Sequence, residues 1–448
     1  MSNVLDLADQ TLFLGERATG TTSLVQCVWI YNRAVGIDGL QEFHHHLQRG
    51  RLCRRIERSP LPFGRHRWVT PGDQPGIEFV AVPRPRDAVD SWLEVQAARR
   101  PDAERGPGWQ LAVLPLTDGG AAVSLVVTHC LSDGVGLCEA LADAAQGRDR
   151  ANGWPAAGSR PRWRALREDA YQAARDVPRV GRAVVAAARL AGRGGGGTVA
   201  DVRSPNRRPL TGADETVALP TATIFVNADE WDARANALGG TSNALLAGLA
   251  ARLAQRVGRV AADGTVTVGI PVNERGPADT RANAVTNVDV MVGPAPVTDL
   301  REIRAALRQA LLRHQDEPDE RWALLPLVPL IPRRVMRRLI GVATGSATAV
   351  VSSNLGAVDP AANRPDGTDA DYFAMKSLYP GVTAATMRRT NGVLALLSGR
   401  MREQVFVSFL GYEADGQNSN AELGQQISGA LSDFSLTATT GWPTGCPV

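Results

Sequence analysis

One histidine in the chain is placed where a side chain could carry out proton transfer. His129 directly follows Ala121 to Thr128, an apolar run with several β-branched residues, and Asp133 and Gly134 come four and five residues later. Histidine titrates near neutral pH and can take a proton from an attacking hydroxyl or amine. A carboxylate four residues on can orient the imidazole or the turn around it. The pattern fits a general base at a sheet edge, and equally a buried histidine followed by an aspartate that caps the next helix.

The other histidines are weaker candidates. His44, His45 and His46 are consecutive on a predicted helix, where neighbouring side chains point about 100° apart and cannot face one metal ion together. We therefore expect a solvated helix face there and no metal site. His66 lies in a basic loop and is expected at the surface. His314 ends a predicted helix, where a positive charge suits the helix dipole.

A thiol next to the histidine raises a second hypothesis, a cysteine nucleophile. Cys130 follows His129, but adjacent residues leaving a strand point to opposite faces, so Cys130 is expected to be a small packed hydrophobe. The sequence contains no G-x-S-x-G, G-x-x-x-x-G-K-[ST] or H-E-x-x-H motif. That disfavours a serine-elbow hydrolase, a P-loop kinase and a zinc protease.

Composition narrows the class of protein. The 448 residues carry 49 basic and 46 acidic side chains, a net charge of +3, which disfavours a dedicated nucleic-acid binder. The five cysteines are odd in number and show no C-x-x-C spacing, as expected of reduced thiols. The start lacks the pattern of a signal peptide, and no apolar run approaches the roughly 18 residues of a membrane span. We expect a soluble, cytoplasmic protein.

Strands and helices must position these residues, and both patterns recur along the chain. Strands are predicted at Ser23–Tyr31, Ala121–Thr128, Ala222–Asn227, Thr265–Val272, Asn287–Val292, Ala349–Ser353, Val393–Ser398 and Gln404–Gly411. Helices are predicted at Ile37–Gly50, Gly136–Ala145, Trp163–Leu190, Ser242–Val257, Leu300–His314 and Asn420–Phe434. They intermix without a regular βαβ alternation, so the prediction is an α+β fold of two sandwiches.

The division between the two halves is expected near a run of four glycines, Gly194–Gly197, which predicts a flexible surface connection. The expected arrangement is an N-terminal half at 1–180 that carries His129, a linker at 181–215 and a C-terminal half at 216–448.

His129-x-x-x-Asp133-Gly134 after an apolar strand resembles the HHxxxDG motif of the condensation-domain superfamily. That superfamily includes non-ribosomal peptide condensation domains, bacterial wax ester synthase/diacylglycerol acyltransferases and polyketide-associated acyltransferases. Other segments resemble superfamily motifs in the same order along the chain. They are Leu5–Glu16 (the start of the wax ester synthase group), Thr241–Ala244 (TVND), Ile270–Arg275 (VPVSLR), His314–Pro318 (HQDxPFE) and Ser353–Gly356 (SNxxG). The similarity spans nearly the whole chain.

The resemblance implies a fold and a reaction. The fold is two chloramphenicol-acetyltransferase-like α/β sandwich halves with an active-site tunnel at their junction. The donor is an acyl-CoA or an acyl or peptidyl chain on a phosphopantetheinyl carrier protein, the acceptor is a small-molecule alcohol or amine, and no other cofactor is implied. A closed tunnel would hold both substrates together and protect the thioester from water.

The resemblance also implies residue roles. His129 matches the second, catalytic histidine of the motif and would deprotonate or position the acceptor. Asp133 is expected to be structural and to pair with an arginine, for which Arg275 is the candidate. Gly134 would let substrate approach the backbone, and its N–H would stabilise the oxyanion, a contribution typically worth about 3 kcal/mol.

The resemblance assigns supporting roles to three further residues, and two positions depart from the superfamily motifs. Asn243 is expected to line the tunnel, and Ser353 and Asn354 to support the junction. Thr128 replaces the first motif histidine, and Ala244 stands where the wax ester synthase group has aspartate. The sequence contains no DFGWG segment, so the branch stays open.

A basic amphipathic pattern follows a proline-broken apolar run. Arg333, Arg334, Arg337 and Arg338 alternate with apolar residues. Such a helix could hold CoA phosphates, dock an acidic carrier protein or make peripheral contact with a membrane, and an ordinary solvated face has equal weight.

The sequence as a whole favours an HxxxD-type acyltransferase that moves an acyl group from a thioester to a hydroxyl. Ester formation is preferred because more of the matched segments belong to the ester-forming branch. The alternatives are an amide-forming, free-standing condensation enzyme of natural-product biosynthesis, and a catalytically silent module that binds a carrier protein or an acylated ligand. A thiol hydrolase is the remaining hypothesis.

Overall fold

The computed structural model describes residues 3–72, 75–149, 153–193, 215–276, 279–294, 299–316, 322–332, 335–336, 350–414 and 416–444. The helices are α1 (Leu7–Thr19), α2 (Ile37–Arg49), α3 (Val89–Ala98), α4 (Gly134–Ala145), α5 (Arg162–Arg193), α6 (Ala228–Ala237), α7 (Ser242–Arg256), α8 (Arg301–Asp316), α9 (Ala384–Arg389) and α10 (Asn420–Asp433). Short 3-10 helices occupy Arg86–Ala88, Trp322–Leu330 and Pro360–Asn363.

The strands are β1 (Leu24–Tyr31), β2 (Arg55–Glu57), β3 (Arg67–Val69), β4 (Ile77–Phe79), β5 (Trp109–Pro115), β6 (Ala121–Thr128), β7 (Thr221–Asn227), β8 (Val266–Asn273), β9 (Val285–Val292), β10 (Val350–Ala357), β11 (Tyr372–Leu378), β12 (Val393–Met401), β13 (Gln404–Tyr412) and β14 (Thr439–Thr440). They form a five-stranded sheet in the order β11-β1-β6-β5-β4 and a seven-stranded sheet in the order β14-β7-β13-β12-β10-β8-β9. The strands β2 and β3 form a separate hairpin pair.

The burial of strands β1, β6 and β9 agrees with their positions in the sheets. Every residue of β1 and β6 is buried, and the two strands pair antiparallel at the centre of the first sheet. Continuous apolar runs of this kind suit strands covered on both faces. Strand β9 instead alternates buried valines with exposed residues such as Asn287 and Asp289, as expected of an edge strand with one solvated face.

Helices cover both sheets, and each half has its own core. Apolar residues of α2, α3 and α4 pack on the first sheet, while those of α6, α7, α8 and α10 pack on the second. The predicted α+β class with two sheet-and-helix halves is therefore correct. No helix in the described ranges is long and apolar enough to cross a membrane.

One strand of the first sheet comes from the C-terminal part of the chain. Strand β11 comes from the C-terminal part of the chain but pairs antiparallel with β1 in the first sheet, with Lys376 opposite Gln26. Tyr372 of β11 then packs against Phe225 of the second sheet. A division of the sequence at 216 therefore does not separate the two sheets, because a strand far along the chain completes the first one.

Helix α5 continues to Arg193, three residues past its predicted end at Leu190 and into the expected linker. The glycine run and the rest of the expected linker, 194–214, lie outside the described residues.

Candidate active site

The backbone of His129 is held by both halves of the molecule. Its N–H donates to the carbonyl of Ser23 at 2.8 Å, which extends the β1–β6 pairing by one residue. Its carbonyl accepts a hydrogen bond from Nδ2 of Asn283 at 3.1 Å, from the C-terminal half. The turn after it is closed by the N–H of Leu131 bonding to the carbonyl of Thr128 at 2.9 Å.

The side chain of His129 is half-buried and leaves one ring nitrogen unused. Within the described part of the chain, its buried Nδ1 has no hydrogen-bond partner, and neither has Oδ1 of Asn283. Both atoms are shielded from solvent, so the exposed part of the imidazole, and not Nδ1, is what a substrate could reach.

Asp133 caps α4 and also joins the halves. One carboxylate oxygen accepts from the N–H of Gly136 at 2.6 Å, as an N-cap does. The other accepts from Arg275 at 2.6 Å and from the N–H of Ala284 at 2.8 Å. The expected ion pair with Arg275 is thus present, and the aspartate holds the loop after His129.

Arg275 fastens a loop of the C-terminal half against this motif. It donates to the carbonyls of Arg281 at 3.0 Å and Ala282 at 3.1 Å, and the N–H of Asp133 donates to the carbonyl of Ala282 at 3.0 Å. We call Arg281–Ala284 the junction loop. Through it, the motif of the first half and the strand end at Arg275 form one hydrogen-bonded unit.

A residue that motif reasoning did not assign a role, Asp9 of α1, binds the same junction loop. Its carboxylate accepts from the backbone N–H groups of Ala282 at 3.1 Å and Asn283 at 2.8 Å, and from Nδ2 of Asn283 at 3.1 Å. Burial raises the pKa of Asp9 to about 6, although the nearby charge of Arg54 and these donors lower it. The similarity of Leu5–Glu16 to the superfamily start was the only sequence signal for it.

Gly134 lies where the end of β10 meets α4. It is the first residue of α4, and an α-helix leaves the N–H of its first residue without an intrahelical partner at the positive end of the dipole. A Cβ at this position would come within 2.7 Å of Cδ2 of Leu355. A side chain here would press on the movable end of Leu355, and the N–H of Gly134 at the helix start suits an oxyanion.

Two of the expected support residues contact each other. Nδ2 of Asn354, in β10, donates to Oδ1 of Asn243 near the start of α7 at 2.5 Å. Oδ1 of Asn354 accepts from the N–H of Gly356 at 2.9 Å, where the backbone takes a positive φ of 71°. Ser353 lies half-buried in β10, beside Leu397 of β12. The SNxxG segment thus ends a strand and braces the first turn of α7.

The residues that depart from the superfamily pattern are buried. Thr128 and Ala244 are fully buried, and the Thr128 hydroxyl accepts from the N–H of Cys130 at 3.4 Å. Cys130 is also fully buried, and burial raises the pKa of its thiol well above the usual value. The thiolate needed for a nucleophile is disfavoured there, as the prediction of a packed cysteine requires.

The three consecutive histidines of α2 make separate contacts. Nε2 of His44 lies 2.8 Å from the carbonyl of Pro75, and Nδ1 of His46 lies 2.8 Å from a carboxylate oxygen of Asp149. His45 is exposed. In the described ranges, no group of three or more His, Cys, Asp or Glu side chains could hold a metal ion.

The prediction for His66 was wrong. It is only 7% exposed, its ring packs edge-on against Phe13 at 5.4 Å, and burial lowers its pKa to about 4. His314, in the last turn of α8, lies 3.2 Å from a carboxylate oxygen of Glu274. It therefore lies within hydrogen-bonding distance of a carboxylate in addition to its place at the helix end.

The expected docking arginines Arg333, Arg334, Arg337 and Arg338 lie outside the described residues. The tunnel stays a prediction as well. Two cavities, of about 310 Å³ beside Arg259 and Glu413 and about 230 Å³ beside Asp6 and Arg179, are not lined by His129.

Comparison with known proteins places the fold. No protein-family model and no curated protein sequence matches the chain. The first condensation domain of the CDA synthetase matches at a TM-score of 0.59 and 16% identity, over 97% of this chain and 96% of that one. The first condensation domain of the calcium-dependent antibiotic synthetase in complex with a substrate analogue matches at 0.57 and 15% identity, over 98% and 99%. The wax ester synthase/diacylglycerol acyltransferase from Marinobacter aquaeolei VT8 matches at 0.57 and 16% identity, over 97% and 99%.

The molecule is therefore an α+β protein of two sheet-and-helix halves, the architecture that these enzymes share. The resemblance to the condensation-domain superfamily is confirmed at the level of the fold: the chain has the fold of condensation domains and of wax ester synthase/diacylglycerol acyltransferase over nearly its whole length.

Proposed function

We propose that the protein is an acyltransferase that moves an acyl group from a CoA or carrier-protein thioester to a hydroxyl, with His129 as general base. The observation that carries this proposal is the position of His129, half-buried at the end of β6 in a loop that both halves hold in place. The Gly134 N–H at the start of α4 lies five residues further on and supplies the complementary oxyanion donor.

The reaction follows from these two groups. The imidazole of His129 takes the proton from the acceptor O–H as its oxygen attacks the thioester carbonyl carbon. The carbonyl oxygen becomes an oxyanion, to which the Gly134 N–H donates. The C–S bond then breaks, the protonated His129 returns its proton to the sulfur, and the ester and a free thiol leave. Asp133 and Arg275 touch neither substrate in this scheme and act by holding the loop.

The acceptor is assigned from the sequence motifs and not from the geometry of the site. Ester formation is preferred from the ester-branch motifs, while the two kinds of solved structure match with similar TM-scores. An amine acceptor would use the same proton transfer and would make the protein a free-standing condensation enzyme. The condensation domain crystallised with a substrate analogue supports that second candidate. The thiols of Cys27, Cys130 and Cys138 form no disulfide within the described residues, which supports action in a reducing cytoplasm.

The test is thiol release with mass detection of the product. Acyl-CoAs and acyl carrier proteins of graded chain length would be offered with pooled alcohols and amines. Wild type should give an acceptor-dependent product, and His129→Ala should lower the rate by about 10²–10⁴, the usual contribution of a general base. His45→Ala, on the exposed face of α2, is the matched control and should keep full activity.

Other results would choose among the alternatives. Thiol release without an acceptor, unaffected by His129→Ala and lost in Cys130→Ala, would indicate a thiol hydrolase. Tight binding of an acyl carrier protein without release from any donor would indicate a silent binding module. Ester or amide in the product mass would separate the two transferase branches.

A further inference from the structure

Helix α5 exposes its apolar side to solvent, whereas most surface helices of a globular protein turn that side toward the core. Six large apolar residues on it are 43–65% exposed: Trp163, Leu166, Tyr171, Val177, Val184 and Val185. At about 100° per residue these positions fall within an arc of about 140°, one side of the helix. We call these six residues the α5 stripe.

The opposite side of α5 is held to the body of the protein by charged groups. Asp169 is buried and accepts hydrogen bonds from Ser59, Arg67 and Arg160. Asp176 lies 3.4 Å from Arg65, which is itself buried. A surface helix normally turns its apolar side inward, so the outward stripe here requires another explanation than the stability of this chain.

The stripe is long. From Trp163 to Val185 it covers about 33 Å of helix axis at ~1.5 Å per residue. The 3-10 helix Trp322–Leu330 packs against α5, yet the stripe keeps its exposure. A run of exposed apolar residues along one side of a helix suits the apolar level of a lipid headgroup region.

The positive charge of α5 indicates that this apolar environment is an anionic lipid surface. Helix α5 has eight arginines and three carboxylates, a net charge of +5. Arg167 lies over the ring of Trp163 at 5.5 Å and Arg175 over the ring of Tyr171 at 5.1 Å. Aromatic rings with arginines beside them are typical of helices that lie in the headgroup region of anionic bilayers. A second copy of the chain would bring two +5 helices together, which disfavours self-association through this face.

We propose that α5 binds the surface of anionic membranes, with the stripe inserted at the level of the headgroups and its arginines against lipid phosphates. The proposal concerns residues other than the arginines 333–338 and does not depend on the acyltransferase assignment.

Vesicle flotation of the full chain tests the proposal. Wild type should bind vesicles of phosphatidylcholine with 30% phosphatidylglycerol about tenfold or more tightly than pure phosphatidylcholine, and 0.5 M NaCl should remove most of the difference. The triple variant Trp163→Gln, Val177→Gln, Val184→Gln should lose about tenfold or more of that binding. Ile37→Gln, Val82→Gln, Val95→Gln changes three equally exposed apolar residues elsewhere and should bind as wild type does.

The folding of each variant is checked by thermal unfolding and circular dichroism, and Arg182→Glu, Arg189→Glu gives a second route that leaves the stripe intact. That double variant should lose binding to the anionic vesicles only. Equal flotation of both triple variants would overturn the proposal, and so would a failure of wild type to bind anionic vesicles. In that second case, a dimer or an acidic carrier-protein complex that the stripe variant abolishes would identify the occupant as a protein.

Discussion

The carboxylate of Asp133 and the guanidinium of Arg275 form an ion pair 2.6 Å long across the two halves of the molecule, and each side chain is 2% exposed. The pair is surrounded by backbone partners, because Asp133 also accepts from Ala284 and Arg275 also donates to Ala282. The loop that carries His129 is therefore held in place from both halves.

Replacing Arg275 should lower the free energy of unfolding. Arg275→Met leaves a buried, unpaired carboxylate, and we expect a loss of about 3–5 kcal/mol in the free energy of unfolding. Asp133→Asn combined with Arg275→Met should recover at least part of it, because no unpaired charge remains. Urea denaturation measures both. Arg252→Met, which breaks the more exposed pair with Asp433, should cost about 1 kcal/mol or less, and an equal cost would contradict the argument.

The close packing of Gly134 against Leu355 gives a steric test. A Cβ at 134 would meet Cδ2 of Leu355, the movable end of that side chain, at 2.7 Å, so Gly134→Ala should destabilise the protein by about 1 kcal/mol or less and slow acyl transfer. Leu355→Ala makes room, so the double variant should lose less than the sum of the single losses. Strict additivity in unfolding and in transfer rate would show that the contact is not the cause.

A helix glycine with open space around it is the control for that substitution. A Cβ on Gly424, inside α10, would meet nothing within 4 Å. Gly424→Ala should therefore stabilise the protein by about 0.5–1 kcal/mol through helix propensity alone.

The contact between Asn243 and Asn354 predicts a measurable coupling. The two amides are 2.5 Å apart and join the start of α7 to the end of β10. Asn243→Ala and Asn354→Ala should each cost about 1 kcal/mol, and a double-mutant cycle should give a coupling of about 0.5–1.5 kcal/mol. A coupling of zero would mean that the amides do not support each other in solution.

The sequence could predict the parts of this site that lie in motifs, because those motifs follow one another in a fixed order along the chain. His129, Asp133 and Arg275 lie in segments that resemble motifs in a fixed order, so their pairing was foreseeable although 142 residues separate the ion pair. The role of Asp9 was not, because no local pattern states that a carboxylate in α1 will bind backbone N–H groups of Ala282 and Asn283.

The fold shows the same limit. Central strands such as β6 were predictable from their continuous apolar runs, whereas β11 was not, because its place depends on pairing with β1, more than 300 residues away. His66 was assigned to the surface on its basic neighbours. The tertiary contacts that bury it, with Phe13 and Gln10, leave no local sequence signal.

Glu16 predicts a pH dependence of stability next to the site. Its carboxylate accepts from the N–H of Ser23 at 2.8 Å, and the carbonyl of Ser23 accepts from the N–H of His129. Burial raises the pKa of Glu16 from its ordinary value of 4.5 to about 7, against the lowering effect of its hydrogen bonds to Ser23 and Cys130. Between these two values the folded protein holds a proton that the unfolded chain has released.

The stabilising effect of that proton is complete below about pH 4.5 and is lost as the pH rises to about 7, at most about 3 kcal/mol for a shift of this size. Glu16→Gln keeps an acceptor for Ser23 and removes the ionisation, so its stability relative to wild type should increase from pH 5 to pH 8. Urea denaturation of both proteins at pH 5, 6, 7 and 8 measures the difference. Asp9, whose pKa is raised, and His66, whose pKa is lowered, titrate in both proteins and cancel in it. A difference that stays constant across this range would show that the carboxyl of Glu16 ionises freely in the folded state.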